Sequence, residues 1–244
     1  MPTYKVTLEY DGTNYAGWQR QPDQPTIQGA VEAAIRTVAQ ADIPAIAAGR
    51  TDAGVHALGQ VVSFRSDKEF SAEEWARALS GLLPADISVR HVERVADDFH
   101  ARYEAREKLY EYRILLRHER SALERARAWH IHGQLDVDAM REGAHLLTGC
   151  HDFSSFQGSP TDTENTICDL RRLELIQRDP LIRIEVLADR FLKQMVRAIV
   201  GTLVEVGQRK RAPQAMKDIL EARDRRAAGL TAPPHGLYLV SVIY

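Results

Sequence analysis

The sequence predicts an α+β protein built from two ferredoxin-like halves, each with the element order β-α-β-β-α-β. Three observations support this prediction. Strand and helix patterns follow that order over residues 1–105, and a looser version of the same order returns over residues 106–244. No Gly/Ser-rich linker lies between them, near residues 100–108. We therefore expect the halves to form a continuous mixed, mainly antiparallel sheet with a central active-site cleft.

The first half contains two predicted helices among predicted strands. Thr26 caps an amphipathic stretch that ends before Pro44, and Ser71 with Glu74 forms a capping box for a helix that ends at Pro84. Alternating apolar residues, or runs rich in β-branched side chains, indicate the strands. These strands are residues 3–10, 43–48, 60–64 and 87–92.

The second half shows the same kinds of signal with less regular spacing. Apolar residues at helical spacing, with capping residues before them or glycine after them, predict three helices. The helices run from Asp136 or Asp138 to Gly149, over residues 191–206, and from Pro213. The strands are residues 109–116, 167–176, 181–187 and 236–243, with a turn at Asp179-Pro180.

The composition is that of a globular protein. Of 244 residues, 44% are hydrophobic and 27% are charged, and no apolar run approaches the roughly twenty residues that span a bilayer. The first residues do not resemble a signal peptide. Two cysteines, Cys150 and Cys168, are too few for a disulfide framework. We therefore expect a cytoplasmic protein without a membrane segment.

A local cluster of basic and aromatic residues offers a possible nucleic-acid surface, although the formal net charge is −2. Residues 99–130 contain eight Lys or Arg and five Glu side chains, with Tyr103, Tyr110, Tyr112 and Trp129 among them. This mixture suits phosphate contact and base stacking. A solvated surface of mixed charge has the same composition, so this pattern alone does not decide between them.

The most informative segment is the loop at residues 49–56, which reads Gly-Arg-Thr-Asp-Ala-Gly-Val-His and lies between two predicted strands. Its glycines allow positive φ and close approach of a ligand, Arg50 can flank a polyanion, and Asp52 can serve as nucleophile or base. A simple hairpin turn also favours Gly and Asp, for conformational reasons alone.

Motifs for several other chemistries are missing. The sequence has no phosphate-binding loop of the Gly-x-x-x-x-Gly-Lys-Ser/Thr type and no dinucleotide-binding fingerprint. Cys150-His151-Asp152, with nearby histidines, lacks the paired spacing of a zinc site, and we expect no metal.

Any one of five sequence motifs could occur by chance, but all five in this order are highly specific. They lie at residues 9–21, 49–57, 98–102, 108–112 and 191–201, and Gly236-Leu237-Tyr238-Leu239 follows them. In this arrangement the chain resembles the tRNA pseudouridine synthase A family over essentially its whole length.

The resemblance implies isomerisation of uridine to pseudouridine at positions 38, 39 and 40 in the anticodon arm of tRNA. It implies that Asp52 is the catalytic carboxylate, that Tyr110 stacks on the target base and assists proton removal from C5, and that Arg197 pairs with the carboxylate. Two routes stay open, because Asp52 can attack C1′ or remove a ribose proton to give a glycal. No cofactor is implied, since the reaction has no redox step.

The resemblance also implies how tRNA is bound. Arg50 corresponds to a residue that helps to flip the target nucleotide out of the stem. A homodimer is implied, with one tRNA lying across both protomers. Gln194 stands where the family often has histidine or another polar residue, and residues 157–165 match poorly. The tRNA-contacting segment comprises Phe99, His100, Ala101, Arg102 and Tyr103.

Two other classes of protein fit part of the pattern. A non-catalytic RNA-binding module could use Tyr103, Tyr110 and Tyr112 as a stacking platform, but binding alone does not require a carboxylate paired with a guanidinium. A glycoside hydrolase would use Asp11 or Asp98 as a second acid, and nothing in the spacing places two carboxyls beside one bond.

Overall fold

The computed structural model describes residues 1–161 and 163–244, over which ten strands and five α-helices form a mixed α+β protein, as predicted. The chain divides into two compact units. The first comprises residues 1–106 and 238–244, and the second comprises residues 107–237. The last strand therefore clusters with the first unit, whereas the sequence analysis places it in the second half. Asp162, within the poorly matched segment 157–165, lies outside the described residues.

The first unit contains six elements from the start of the chain, which are β1 (Thr3–Tyr10), α1 (Ile27–Ala39), β2 (Ile46–Ala47), β3 (His56–Arg65), α2 (Ala72–Leu82) and β4 (Ile87–Val95). Its strand order is β4-β1-β3-β2 with antiparallel pairing, which is the arrangement of a β-α-β-β-α-β unit. A fifth strand, β10 (Leu237–Ile243), pairs in parallel with β3 through Tyr238 and Leu239.

Capping and aromatic packing explain why these elements form. The Ser71 hydroxyl accepts a hydrogen bond from the backbone N–H of Glu74, whose carboxylate accepts one from the Ser71 N–H, so the predicted capping box is confirmed. Helix α2 then inserts Trp75 against Tyr4 and Phe64, with ring centroids 5.5 and 4.9 Å away. Full burial of Trp75 makes this contact the centre of the first unit's core.

The elements of the second unit are β5 (Glu107–Leu116), β6 (Trp129–Ile131), α3 (Val137–His145), β7 (Gly149–Asp152), β8 (Ile167–Arg178), β9 (Leu181–Ala188), α4 (Met195–Gly207) and α5 (Ala215–Ala222). The strand order is β5-β9-β8-β7, antiparallel throughout, and β6 pairs in parallel with β5. Asp136 is the N-terminal cap of α3, because its carboxylate accepts a hydrogen bond from the Ala139 N–H.

Two boundaries differ from the predicted ones for local reasons. The predicted strand at residues 43–48 shrinks to β2, because Pro44 has no N–H to contribute to a ladder. The predicted helix at residues 191–206 begins only at Met195, because Gln194 has a φ of 59° and therefore cannot belong to the helix. Among the described residues, no helix combines the length and apolar character needed to cross a membrane.

Candidate active site

Asp52 lies in a loop of the first unit that is fixed by backbone hydrogen bonds from another segment. The Trp18 N–H donates to the Thr51 carbonyl at 3.0 Å, and the Gly54 N–H donates to the Tyr15 carbonyl at 3.3 Å. These bonds fix the chain on both sides of Asp52, which is half-buried. These bonds therefore position the backbone that carries the Asp52 carboxylate.

A buried network of side-chain hydrogen bonds also fixes this loop. The Tyr10 hydroxyl lies 2.8 Å from the Thr51 hydroxyl, and the Gln60 amide donates to the Gly49 carbonyl at 2.8 Å and to Tyr10 at 3.4 Å. Burial raises the pKa of Tyr10 to about 12, so its hydroxyl stays protonated at neutral pH. The sequence analysis did not single out Gln60, and the available signal was an amide beside the apolar residues Val61 and Val62 of the same strand.

Glycines of the motif at residues 9–21 let two backbones approach closely beside this loop. A side chain at Gly12 would overlap the Val55 carbonyl oxygen. At Gly17, where φ is 98°, an added Cβ would lie 2.7 Å from the Thr51 carbonyl oxygen. The motif therefore packs directly against the chain that carries Asp52.

Gly12→Ala is expected to lower the free energy of unfolding by about 2 to 3 kcal/mol, because the methyl group can be accommodated only by moving backbone at the start of β3. The matched control is Gly81→Ala in α2, where no atom lies within 4 Å of the added methyl group. That change should stabilise the protein by up to about 1 kcal/mol. Urea unfolding of both variants measures the difference, and equal stabilities would contradict the close packing.

His56 anchors the end of the loop at its junction with β3. Its Nδ1 accepts a hydrogen bond from the Gly12 N–H at 3.1 Å and lies 3.1 Å from a carboxylate oxygen of Asp11, while its ring stacks on Tyr238 at 4.7 Å. Asp11 also accepts a hydrogen bond from the Thr13 N–H, which caps a short 3-10 turn. These contacts give Asp11 a structural role, which weakens its candidacy as the second acid of a hydrolase.

The predicted tRNA-contacting segment divides into anchored and exposed residues. Ala101 is fully buried, and its N–H donates to the Ser63 hydroxyl while its carbonyl accepts from the Tyr244 hydroxyl. Phe99 packs against Tyr244 with ring centroids 5.2 Å apart. Because Ala101 is buried, it supports the segment through its backbone hydrogen bonds, and its contact with tRNA stays a prediction.

The remaining residues of this segment are accessible. Tyr103 is 77% exposed, His100 stacks on it with centroids 4.1 Å apart, and the Arg102 guanidinium lies 5.8 Å from its ring centre. An aromatic ring with a neighbouring cation is the kind of surface on which a base can stack. Arg50, elsewhere in the first unit, is also exposed.

Tyr110 and Arg197 belong to the second unit. Tyr110, on β5, is only 7% exposed and meets Phe191 edge to face with centroids 4.9 Å apart. Arg197, on α4, is half-buried, and its Nε donates to the Ala232 carbonyl at 2.8 Å while the Ala232 N–H donates to the Arg197 carbonyl. The guanidinium is therefore oriented by the segment that follows α5.

Two further groups lie close enough to Arg197 to sense its charge. Burial raises the pKa of Tyr112, whose hydroxyl donates to the Pro233 carbonyl at 2.7 Å, and the positive charge of Arg197 acts in the opposite direction. Burial lowers the pKa of His235, and Arg197 lowers it further. The lowered pKa favours the neutral form of His235 beside Arg197. Within the described part of the chain, no group of three or more His, Cys, Asp or Glu could hold a metal ion.

A family model described as tRNA pseudouridine synthase matches residues 7–104 and 144–244. The chain is 47% identical to the tRNA pseudouridine synthase A of Moorella thermoacetica over 246 aligned residues, which cover 100% of both chains. It is 43% identical to the enzyme of the same name from Ehrlichia canis, with 99% of each chain covered.

Proposed function

The chain belongs to the tRNA pseudouridine synthase family and isomerises uridine in tRNA, and on that premise we propose that it modifies uridines 38, 39 and 40 of the anticodon arm with Asp52 as its catalytic carboxylate. The observation that supports this role is the rigid loop around Asp52. Its backbone is held by hydrogen bonds from Trp18 and from the Gln60 network, and these bonds position the half-buried side chain.

The chemistry requires one carboxylate and no net change of atoms. The bond between C1′ and N1 of uracil breaks, the base rotates, and C1′ bonds to C5. The proton on C5 is lost and N1 gains one. Asp52 serves either by attacking C1′ or by removing a ribose proton to give a glycal. Both routes need an ionised carboxylate in a site that restricts water, so that the detached base returns before it escapes.

In this proposal Arg197 pairs with Asp52 and Tyr110 stacks on the target base. The donation from Arg197 Nε to the Ala232 carbonyl supports the first role, because it fixes the direction of the guanidinium before any substrate arrives. The edge-to-face contact with Phe191 supports the second, because it holds the Tyr110 ring in one orientation. Tyr110 is also proposed to assist removal of the C5 proton.

The tRNA itself is proposed to contact the exposed part of the first unit. His100, Arg102 and Tyr103 supply an accessible stacked pair of rings with a cation, and Phe99 with Ala101 supports them from the core. Arg50 is proposed to help flip the target nucleotide. We further propose a cytoplasmic homodimer that binds one tRNA across both protomers. Sedimentation of the free protein as a monomer would rule out the dimer.

The positions are tested with four tRNA transcripts. Three retain a uridine at only one of positions 38, 39 and 40 within the anticodon arm, and the fourth retains none there but keeps all its other uridines. We expect pseudouridine in the first three and none in the fourth, measured by chemical mapping after incubation with purified protein. Modification of the fourth transcript would overturn the proposed positions.

A further inference from the structure

The second unit contains a recess of about 470 Å³ that has no part in the proposed chemistry. Its floor comprises Leu115 and His130, which are paired across β5 and β6. Its walls come from the turn between these strands, residues 117–128. This turn lies outside the segments matched by the family model. The polar wall residues are Arg120, Ser121, Glu124 and Arg125.

The turn is ordered by its own hydrogen bonds. The Arg117 guanidinium donates to the carbonyls of Glu119 and Arg120 at 2.7 and 2.9 Å, and the Arg117 carbonyl accepts from His130 Nε2 at 2.9 Å. The Glu124 N–H donates to the Ser121 hydroxyl at 3.0 Å. Arg117 thus organises the turn, so the backbone of the wall residues is positioned before any ligand binds.

The wall residues have more hydrogen-bond donors than are used by hydrogen bonds within the turn. The Arg120 side chain is exposed and makes no hydrogen bond or ion pair with a residue that the structure describes. Arg125 uses one terminal nitrogen on the Ala122 carbonyl at 2.9 Å, and its other N–H groups stay available. The Ser121 oxygen accepts a bond, so its O–H can donate. The charged residues that line the recess are two arginines and one glutamate, Glu124.

We propose that this recess binds a backbone phosphate of the tRNA substrate, a proposal that rests on the chain's activity on tRNA. Two guanidinium groups beside a hydroxyl match the oxygens of a phosphodiester, which arginine recognises with paired N–H donors. Such a contact positions the RNA without reading its sequence. It also gives a chain of net charge −2 a local site for a polyanion.

The test measures affinity for a tRNA transcript over a series of salt concentrations. The variant with both Arg120→Ala and Arg125→Ala is expected to bind about tenfold more weakly at low salt, and the slope of log affinity against log salt should fall by about 1. Glu124→Gln removes the opposing charge and should tighten binding. The loss in turnover of the double variant should be largest at subsaturating tRNA, where binding limits the rate.

The matched control is Arg94→Ala, at an exposed arginine on β4 whose side chain makes no hydrogen bond or ion pair with a described residue. It should bind as the wild type does. The proposal would be overturned if Arg94→Ala lost as much tRNA affinity as the double variant, or if the double variant lost none.

Loss of the hydrogen bond from Arg125 to the Ala122 carbonyl could itself disturb the turn, so a variant at Arg120, which has no such bond, is also tested. Arg120→Glu should weaken tRNA binding more than Arg120→Ala does. Wild-type affinity for Arg120→Glu would count against the recess. Pseudouridine formation by the wild type is assayed in parallel, so failure of the proposed function is seen separately from failure of this binding site.

Discussion

Asp52→Asn is expected to abolish pseudouridine formation, with a loss of about four orders of magnitude or more in kcat, while tRNA affinity stays close to that of the wild type. The amide has nearly the shape of the carboxylate but can neither attack C1′ nor accept a ribose proton. The Val55 N–H donates to the backbone carbonyl of Asp52, so the substitution leaves this loop contact intact. Single-turnover assays with a tRNA transcript, together with a binding measurement, separate the two effects.

The matched control is Asp23→Asn. Asp23 is exposed and has a φ of 57°, a conformation that asparagine tolerates as well as aspartate does. This variant should have wild-type turnover. If Asp52→Asn retained more than about a tenth of the wild-type kcat, a group other than this carboxylate would have to perform the covalent step.

Local signals predict the elements of the fold better than their long-range partners. The Ser71 capping box and the turn at Asp179-Pro180 each depend on residues within a few positions of one another, and both are confirmed. Of the two residues predicted to begin the third helix, Asp136 and Asp138, the structure has Asp136 as the cap. The position of β10 depends on pairing with β3, far away in sequence. An apolar run predicts a strand but does not tell which neighbour it pairs with.

The candidate site shows the same limit. The loop composition singled out Asp52, because glycines, a carboxylate and an arginine coincide in one short segment. It could not show that Gln60 and Tyr10 fix Gly49 and Thr51, since those bonds join β3 and β1 to loop residues that are not their neighbours in sequence. Nor could a family motif tell that Ala101 is buried while its neighbour Tyr103 is exposed, because this depends on the packing of Ala101 against β3 and Tyr244.

Arg197→Ala is expected to reduce both stability and turnover. A fully buried ion pair that loses one partner costs about 3 to 5 kcal/mol, but Arg197 is only half-buried, so we expect a loss of about 1 to 3 kcal/mol in the free energy of unfolding. Part of this loss comes from the Ala232 carbonyl, which loses its Nε donor. Arg197→Lys keeps the charge without that donor and should recover only part of the turnover.

A double-mutant cycle separates the two roles of Arg197. If Arg197 stabilises the ionised form of Asp52, then Arg197→Ala must cost less in a protein that already carries Asp52→Asn, because the charge that it balanced is gone. We expect a coupling of about 0.5 to 3 kcal/mol between the two substitutions in urea unfolding. A coupling of zero would mean that Arg197 does not act through Asp52 and is a structural residue of the second unit. The catalytic carboxylate would then need another cation.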